Sequence, residues 1–506
     1  MSASSNGEVR RADGDSSKFI DFLFEMKLHE TALGQQASDD LANRCLAKFD
    51  DSEAALDCRA VSLYTVVAQM RAGNESMLGH VPEVCRRLKS SSALTPPMSD
   101  AAAEQFHRQI VDAVSAMLDL SPETLVYESF GPLMFYIIQL VACERVQVAT
   151  AACEFWAKYA AMPANVAIRK HWMNAFVPQM STLVTGLMNQ MRYRAEHAEY
   201  LEKFGSDGSF PQPAETSLPG DVEAFANLRN LAAVAFEHVA RVYPPEMVCA
   251  AFVPLLEKRV ESCSWSEKEA AILALAVFTQ GAGTPEAVRD SYAVVVPRVV
   301  DCFVDPHPLL RSVACLAMPK LVGRRLRGVK DPWSRVLVCT ASATYDPSAE
   351  VRRTAIRALS SLLAYEMPSV VSMRSSSVSS HTSHIVDALD RAGKCAMDAE
   401  TQRLYFECVS HLIGRAADSL TSSDMDRLVL PLIAAWRSRE WRRACDDEET
   451  VSAVDQDVGF VAFSAALGNI ATYGKSLYAP FAECIFEKAC TDIAGGSPVK
   501  LSAQLK

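Results

Sequence analysis

The stretch VDPHPLLRSVACLAM, residues 304–318, returns in skeleton as YDPSAEVRRTAIRALS, residues 345–360. Asp305 and Asp346, Pro306 and Pro347, Leu310 and Val351, Arg311 and Arg352, Ala314 and Ala355, and Ala317 and Ala358 all stand 41 residues apart. A register held at so many positions is a structural period. Within each copy the spacing is helical: Leu310, Val313, Ala314, Ala317 and Leu321 line one helix face, and Ile356, Leu359, Leu362 and Leu363 line another. The Asp-Pro pair starts each helix, because Asp accepts hydrogen bonds from the free amides there and Pro gives up an N–H that has no partner anyway. The alanines let a neighbouring helix approach closely, as stacking requires.

Upstream of each Asp-Pro lies a further amphipathic segment, residues 287–303 and 333–344. The unit is therefore a pair of helices joined by a short turn, which is HEAT-like. Asp followed six residues later by Arg recurs in such repeats, and in a stacked array those charges ladder between neighbours. SWSEKEAAILALAV, residues 264–277, precedes by the same step and sets Ala276 opposite Ala317. Further pairs are predicted at 40–72, 76–121, 125–163, 164–242, 368–416 and 424–473, with an unpaired helix near 476–493. The expected fold is an all-α HEAT-repeat α-solenoid, a superhelical array of antiparallel helix pairs spanning residues 18–494 in roughly nine repeats. Residues 1–17 and 495–506 read as disordered tails, and loops are expected at 193–223, at the serine-rich 372–384 and at the acidic 444–457.

The 506 residues carry a net charge of -11, which argues against a nucleic-acid surface built from clustered Lys and Arg and favours partners with basic segments. Fifteen cysteines are scattered with no CxxC pair, so neither a zinc site nor a disulfide framework is predicted, and a reducing compartment is expected. The polar start MSASSNGEVRRADGDSS lacks the apolar core of a signal peptide, and the longest apolar run, residues 132–143, is too short to span a bilayer. These features lead us to expect a soluble intracellular protein.

No phosphate-binding GxxxxGK[ST], dinucleotide-binding GxGxxG, GxSxG or HExxH motif occurs, so no enzyme, cofactor or metal is predicted. His381 and His384 form an HxxH, but Cys neighbours and well-placed carboxylates are lacking, and the acidic run 446–449 reads as a solvated face. An array of helix pairs instead offers a long surface for another protein, and binding is the expected function.

AACEFWAKYAAMP (151–163), ANLRNLAAVAFEHVARVY (226–243), WSEKEAAILALAVFTQG (265–281) and MDRLVLPLIAAW (425–436) resemble, in order and spacing, the middle portion of the transportin branch of the karyopherin-β nuclear import receptors. The resemblance runs from about residue 40 to about residue 493. It implies a shuttling receptor of cytoplasm and nucleus that binds cargo proteins through basic signals ending in a Pro-Tyr pair. It also implies nuclear pore proteins and the GTPase Ran as partners, and a monomer without cofactor. Matched position by position, the Pro-Tyr pocket would be lined by Val234, Leu273, Val313 and Leu316, with Glu237 accepting from the tyrosine hydroxyl. Lys320 matches a family arginine near the signal, and Ser361 and Leu362 continue the path. Leu316 stands where the family has tryptophan and Ala364 where it has an acidic residue, while 193–223 corresponds to the family's long acidic insertion. A structural scaffold, such as that of a phosphatase, is the alternative that a HEAT array leaves open.

Overall fold

The computed structural model describes residues 35–51, 54–71, 79–90, 100–120, 130–162, 177–194, 220–282, 289–323, 333–364, 371–416 and 419–438. Among these every long regular element is an α-helix. In chain order they are α1 (Gln35–Asp50), α2 (Leu56–Arg71), α3 (Val81–Ser90), α4 (Ala101–Leu120), α5 (Phe130–Val141), α6 (Val146–Ala161), α7 (Met180–Gln190) and α8 (Gly220–Val242). There follow α9 (Pro245–Val260), α10 (Trp265–Ala282), α11 (Arg289–Asp301), α12 (Pro308–Gly323), α13 (Trp333–Ala343), α14 (Ala349–Ala364), α15 (Val371–Ala392), α16 (Ala399–Ala416) and α17 (Ser422–Ser438). Odd-numbered helices are the first members of pairs and even-numbered helices the second.

The chain divides into two compact units, Met1–Tyr193 with Ser217–Leu256 and Gln280–Ala287, and Arg194–Thr216 with Glu257–Thr279 and Val288–Lys506. Each is built as the period demands. In the first, α2 packs on α4, α4 on α6 and α6 on α8. Its interior holds Phe49, Phe106, Phe155, Trp156 and Tyr159, all buried. Arg59 is also buried there, because its Nε donates to the Phe49 carbonyl at 2.8 Å and its guanidinium lies over the Phe106 ring. In the second unit α12 packs on α14 and α14 on α16, while α13, α15 and α17 stack likewise. The paired positions 310 and 351, 314 and 355, and 317 and 358 are all core.

The Asp-Pro-Arg signature forms the ladder that its spacing predicts. Asp305 and Asp346 each accept from the amide two residues on, at 2.9 Å, which starts α12 and α14. Arg311 donates to the carbonyls of Asp305 and Pro306 at 2.8 and 2.9 Å, and Arg352 donates to those of Asp346 and Pro347 at 2.9 and 2.8 Å. Each arginine thus ties down the turn of its own repeat. Arg311 then reaches across with a two-pronged bond to Asp346, 2.7 and 2.8 Å, in which the side chains are only 14% and 10% exposed. Beyond it, Arg352 donates to the Ala396 carbonyl at 3.3 Å and Arg353 bridges to Asp398 at 3.3 Å. One period earlier the Asp and Arg positions are Ser264 and Ala270, and there the ring of Trp265 lies on that of His307, centroids 3.9 Å apart and 15° from parallel.

The serine-rich stretch 372–384, expected as a loop, lies inside α15. Val378, Thr382, Ile385, Val386 and Leu389 recur at helical spacing and are buried, with Ile385 and Leu389 in the same cluster as Leu359 and Tyr405. Serine disfavours an isolated helix, but this buried stripe outweighs it while Ser380 and Ser383 lie exposed. The expected loop 193–223 ends at Gly220, where α8 begins, and residues 195–219 lie outside the described residues. So do the two tails, the stretch 444–457 and the helix near 476–493.

Arg311→Ala removes the cross-repeat fork and leaves Asp346 buried, so the second unit should lose about 3 kcal/mol, seen as faster amide exchange in α12 and α14. Pairing it with Asp346→Asn should recover part of that loss, since the uncompensated charge goes too. A second test concerns Gly281, at which a Cβ would meet the Glu237 carbonyl oxygen at 2.3 Å. Helix propensity alone favours Gly281→Ala by about 1 kcal/mol; the contact reverses the sign, and the variant should melt below the parent.

Candidate protein-binding surface

The second helices of each unit pack on first helices by one side, leaving another side for a ligand. In the first unit that side follows a spacing of three and four residues: Glu104, Arg108, Asp112 and Asp119 on α4, Glu154 and Lys158 on α6, and Val234, Glu237 and Arg241 on α8. Cross-links hold these helices side by side. Lys158 pairs with Asp119, Arg108 donates to Gln147 at 3.2 Å, and His238 Nδ1 donates to the Ala157 carbonyl at 2.8 Å. The last bond assigns the Nδ1–H tautomer. Burial raises the Asp112 carboxyl above its usual range, and Arg108 and Arg71 offset part of that effect. Glu104 and Glu154 have no ion-pair partner among the described residues. This face is therefore weighted toward negative charge.

The corresponding face of the second unit is weighted the other way. Lys320 stands on α12, Arg353 and Arg357 on α14, and Arg403 and Arg415 on α16. Its carboxylates are already engaged: Glu400 with Arg357 at 2.5 Å, Glu407 with Arg403 at 2.5 Å, and Glu350 with Arg353 at 3.7 Å. Burial raises the Glu350 carboxyl, with Arg353 and Thr354 acting in the opposite sense. Arg415 donates to the Leu363 and Ala364 carbonyls at the end of α14, at 2.9 and 3.4 Å, so main-chain dipole and not a carboxylate receives it. His411 meets Ser360 at 2.9 Å, and burial lowers its pKa so that the neutral ring is favoured.

The residues singled out in the sequence divide between the units. Val234 and Glu237 belong to the first; Leu273, Val313, Leu316, Lys320, Ser361 and Leu362 belong to the second. Val234 is 42% exposed and one helical turn from Glu237, so apolar wall and acceptor do share a face. Glu237 is half-buried and ion-paired with Arg241, four residues on. Leu273, Leu316 and Lys320 are half-buried, and Ser361 is exposed with its hydroxyl donating to the Arg357 carbonyl at 2.9 Å. Val313 and Leu362, at 4% exposure each, are interior side chains. Sequence reading missed Arg241 and Arg357. Arg357 stands one period after Leu316, and Arg241 one turn after Glu237, so both were within reach of the same spacing argument.

No known sequence-family profile matches the chain. The chain is 22% identical to "Importin subunit beta-2" of Saccharomyces cerevisiae over 362 residues, 65% of this chain and 37% of that protein. It is 21% identical to "Transportin-1" of Mus musculus over 420 residues, 76% of this chain and 42% of that one. It thus spans about two-fifths of the length of these relatives. Among solved structures, Kap121p bound to Pho4p matches with a TM-score of 0.62 at 13% identity, covering 92% of this chain and 42% of that one. Kap121p bound to Nup53p matches at 0.61 with the same identity and coverage. This likeness shows the fold to be the HEAT-repeat helical array of the karyopherins.

The described residues assemble no catalytic constellation. Among them no group of three metal-ligating side chains occurs, and no helix is long and apolar enough to cross a membrane. His384, of the HxxH pair, meets Ser342 at 3.2 Å. Burial pushes the Cys85, Cys249 and Cys302 thiols up to about 11 and Cys45 up to about 12, and raises Cys153, Cys315 and Cys408 further, which removes them as nucleophiles. Of the described cysteines Cys263 is exposed. Brief treatment of the folded protein with a maleimide at neutral pH should label Cys263 well ahead of these seven; rapid labelling of Cys315 or Cys408 would contradict the packing.

Proposed function

We propose that this chain, a relative of the karyopherin-β receptors, is part of a nuclear import receptor that holds cargo proteins on the faces of its second helices. The likeness to importin β-2 and the transportins, extending across most of the helix pairs, carries this reading. Stacked helix pairs share modest interfaces, so a partner is held by many small contacts spread along successive repeats, and small rotations between neighbours let those contacts adjust.

For a basic signal ending in Pro-Tyr, the first unit supplies suitable chemistry. Val234 offers an exposed apolar surface for a ring, and Glu237 an acceptor for a phenol hydroxyl. Glu104 and Glu154, on neighbouring second helices, offer carboxylates to Lys or Arg. Arg241 competes for Glu237, so a tyrosine hydroxyl binds there by sharing or displacing that pair. Shuttling between cytoplasm and nucleus, release by Ran and passage along nuclear pore proteins belong to the same proposal. Catalysis does not.

A basic peptide ending in Pro-Tyr, immobilised, should capture the parent protein, and Glu237→Lys should weaken capture by about tenfold, equivalent to about 1.4 kcal/mol. The Glu237 side chain is only 16% exposed and pairs with Arg241, so the helical circular dichroism of the variant, compared with that of the parent, separates lost folding from lost capture. Equal capture by parent and variant would remove Glu237 from the site. Absence of capture by the parent would favour a scaffold that does not read basic signals.

A further inference from the structure

We infer that the second-helix face of the second unit docks an acidic segment of a partner protein, not a basic one. The inference rests on reading second-helix faces as binding surfaces, but not on the Pro-Tyr assignment in the first unit. A basic ligand needs carboxylates it can reach, and on this face Glu350, Glu400 and Glu407 each already meet an arginine. Asp398, at the start of α16, is also committed, since its carboxylate accepts from the Thr401 amide at 2.7 Å and bridges to Arg353. A lysine-rich peptide would therefore have to displace formed pairs and would bring its own charge against the arginines.

An acidic segment meets the opposite situation. Arg357 is 51% exposed, and its partner Glu400 is 49% exposed, so the guanidinium turns outward with donors left over after a single contact. Arg415 is anchored to carbonyl oxygens, which fixes its position without cancelling its charge by a carboxylate. Lys320 lies on α12, one period before Ser361, whose exposed hydroxyl sits one turn from Arg357. Bonds across α12, α14 and α16 hold the three helices side by side before any ligand arrives: Ser312 to Thr354 at 3.0 Å and Ser360 to His411 at 2.9 Å. A row of cations already positioned on three adjacent helices costs a carboxylate ligand little ordering of the protein side.

The protein's overall charge makes the test discriminating. At -11 the chain as a whole repels an acidic peptide, so binding of one reports a local surface. The probe is a fluorescein-labelled peptide of repeated Asp-Gly-Glu-Ser, compared with its Lys-Gly-Lys-Ser counterpart, on the full chain by fluorescence anisotropy at low salt. The acidic peptide should bind, weaken as salt is raised, and lose about tenfold in affinity with Lys320→Glu/Arg357→Glu. Carbodiimide, which couples a carboxylate to an amine, should join the bound acidic peptide to Lys320; Lys320→Arg should abolish that link while preserving affinity. Unchanged affinity in the double charge reversal, no binding of the acidic peptide, or loss of the basic peptide in that same variant would each overturn the inference. The circular dichroism of the variant separates an unfolded protein from a lost site, and Val304→Ala, at an exposed position in the turn before α12 that leaves every charge in place, should bind as the parent does. Failure here leaves capture of the Pro-Tyr peptide, read through Glu237, unaffected.

Discussion

The two-pronged bond between Arg311 and Asp346 is the constraint on which the order of the second unit depends. Hydrophobic burial alone makes helices adhere without setting their register, since alanine and leucine faces pack in several offsets of similar energy. A bidentate pair accepts only a narrow range of positions. Because Arg311 also holds the carbonyls of its own turn, and Asp346 starts the next second helix, one contact fixes the start of a helix, the turn before another and the distance between them. The alanines at 314, 317, 355 and 358 complete the device by permitting the approach that the fork requires.

The charge distribution on the two units follows from the same architecture. Second helices give one side to the interior, so their remaining polar positions either neutralise one another or face solvent. In the first unit Glu104 and Glu154 fall in the latter group, and in the second Arg357 and Arg415 stand out. Faces of opposite sign, each on its own set of helices, present a pattern of charge that the net charge does not describe. The bulk acidity of the chain conceals this.

Much of the fold was legible in the sequence because its determinants are local and periodic. Asp-Pro at a fixed step, an arginine six residues later and an apolar stripe fix α12 and α14 without any long-range knowledge. The serine run in α15 was not legible, since its helix is stabilised by burial of Val378, Ile385 and Leu389 against Leu359 and Tyr405, a contact made across repeats. The surface was only partly so. Leu316 and Leu362 both sit among apolar neighbours at helical spacing, yet one is half exposed and the other interior, because the width of a helix's buried stripe depends on its two neighbours. The pairing of Glu237 with Arg241 lies at ordinary helical distance, but whether such a pair closes depends on side-chain conformations that spacing does not determine.

The Trp265–His307 contact differs in kind from the fork that follows it. Two flat rings in van der Waals contact can slide across each other while keeping most of their attraction, whereas a fork is lost within a fraction of an ångström. The boundary between α10 and α12 therefore resembles a sliding bearing beside a bolted joint.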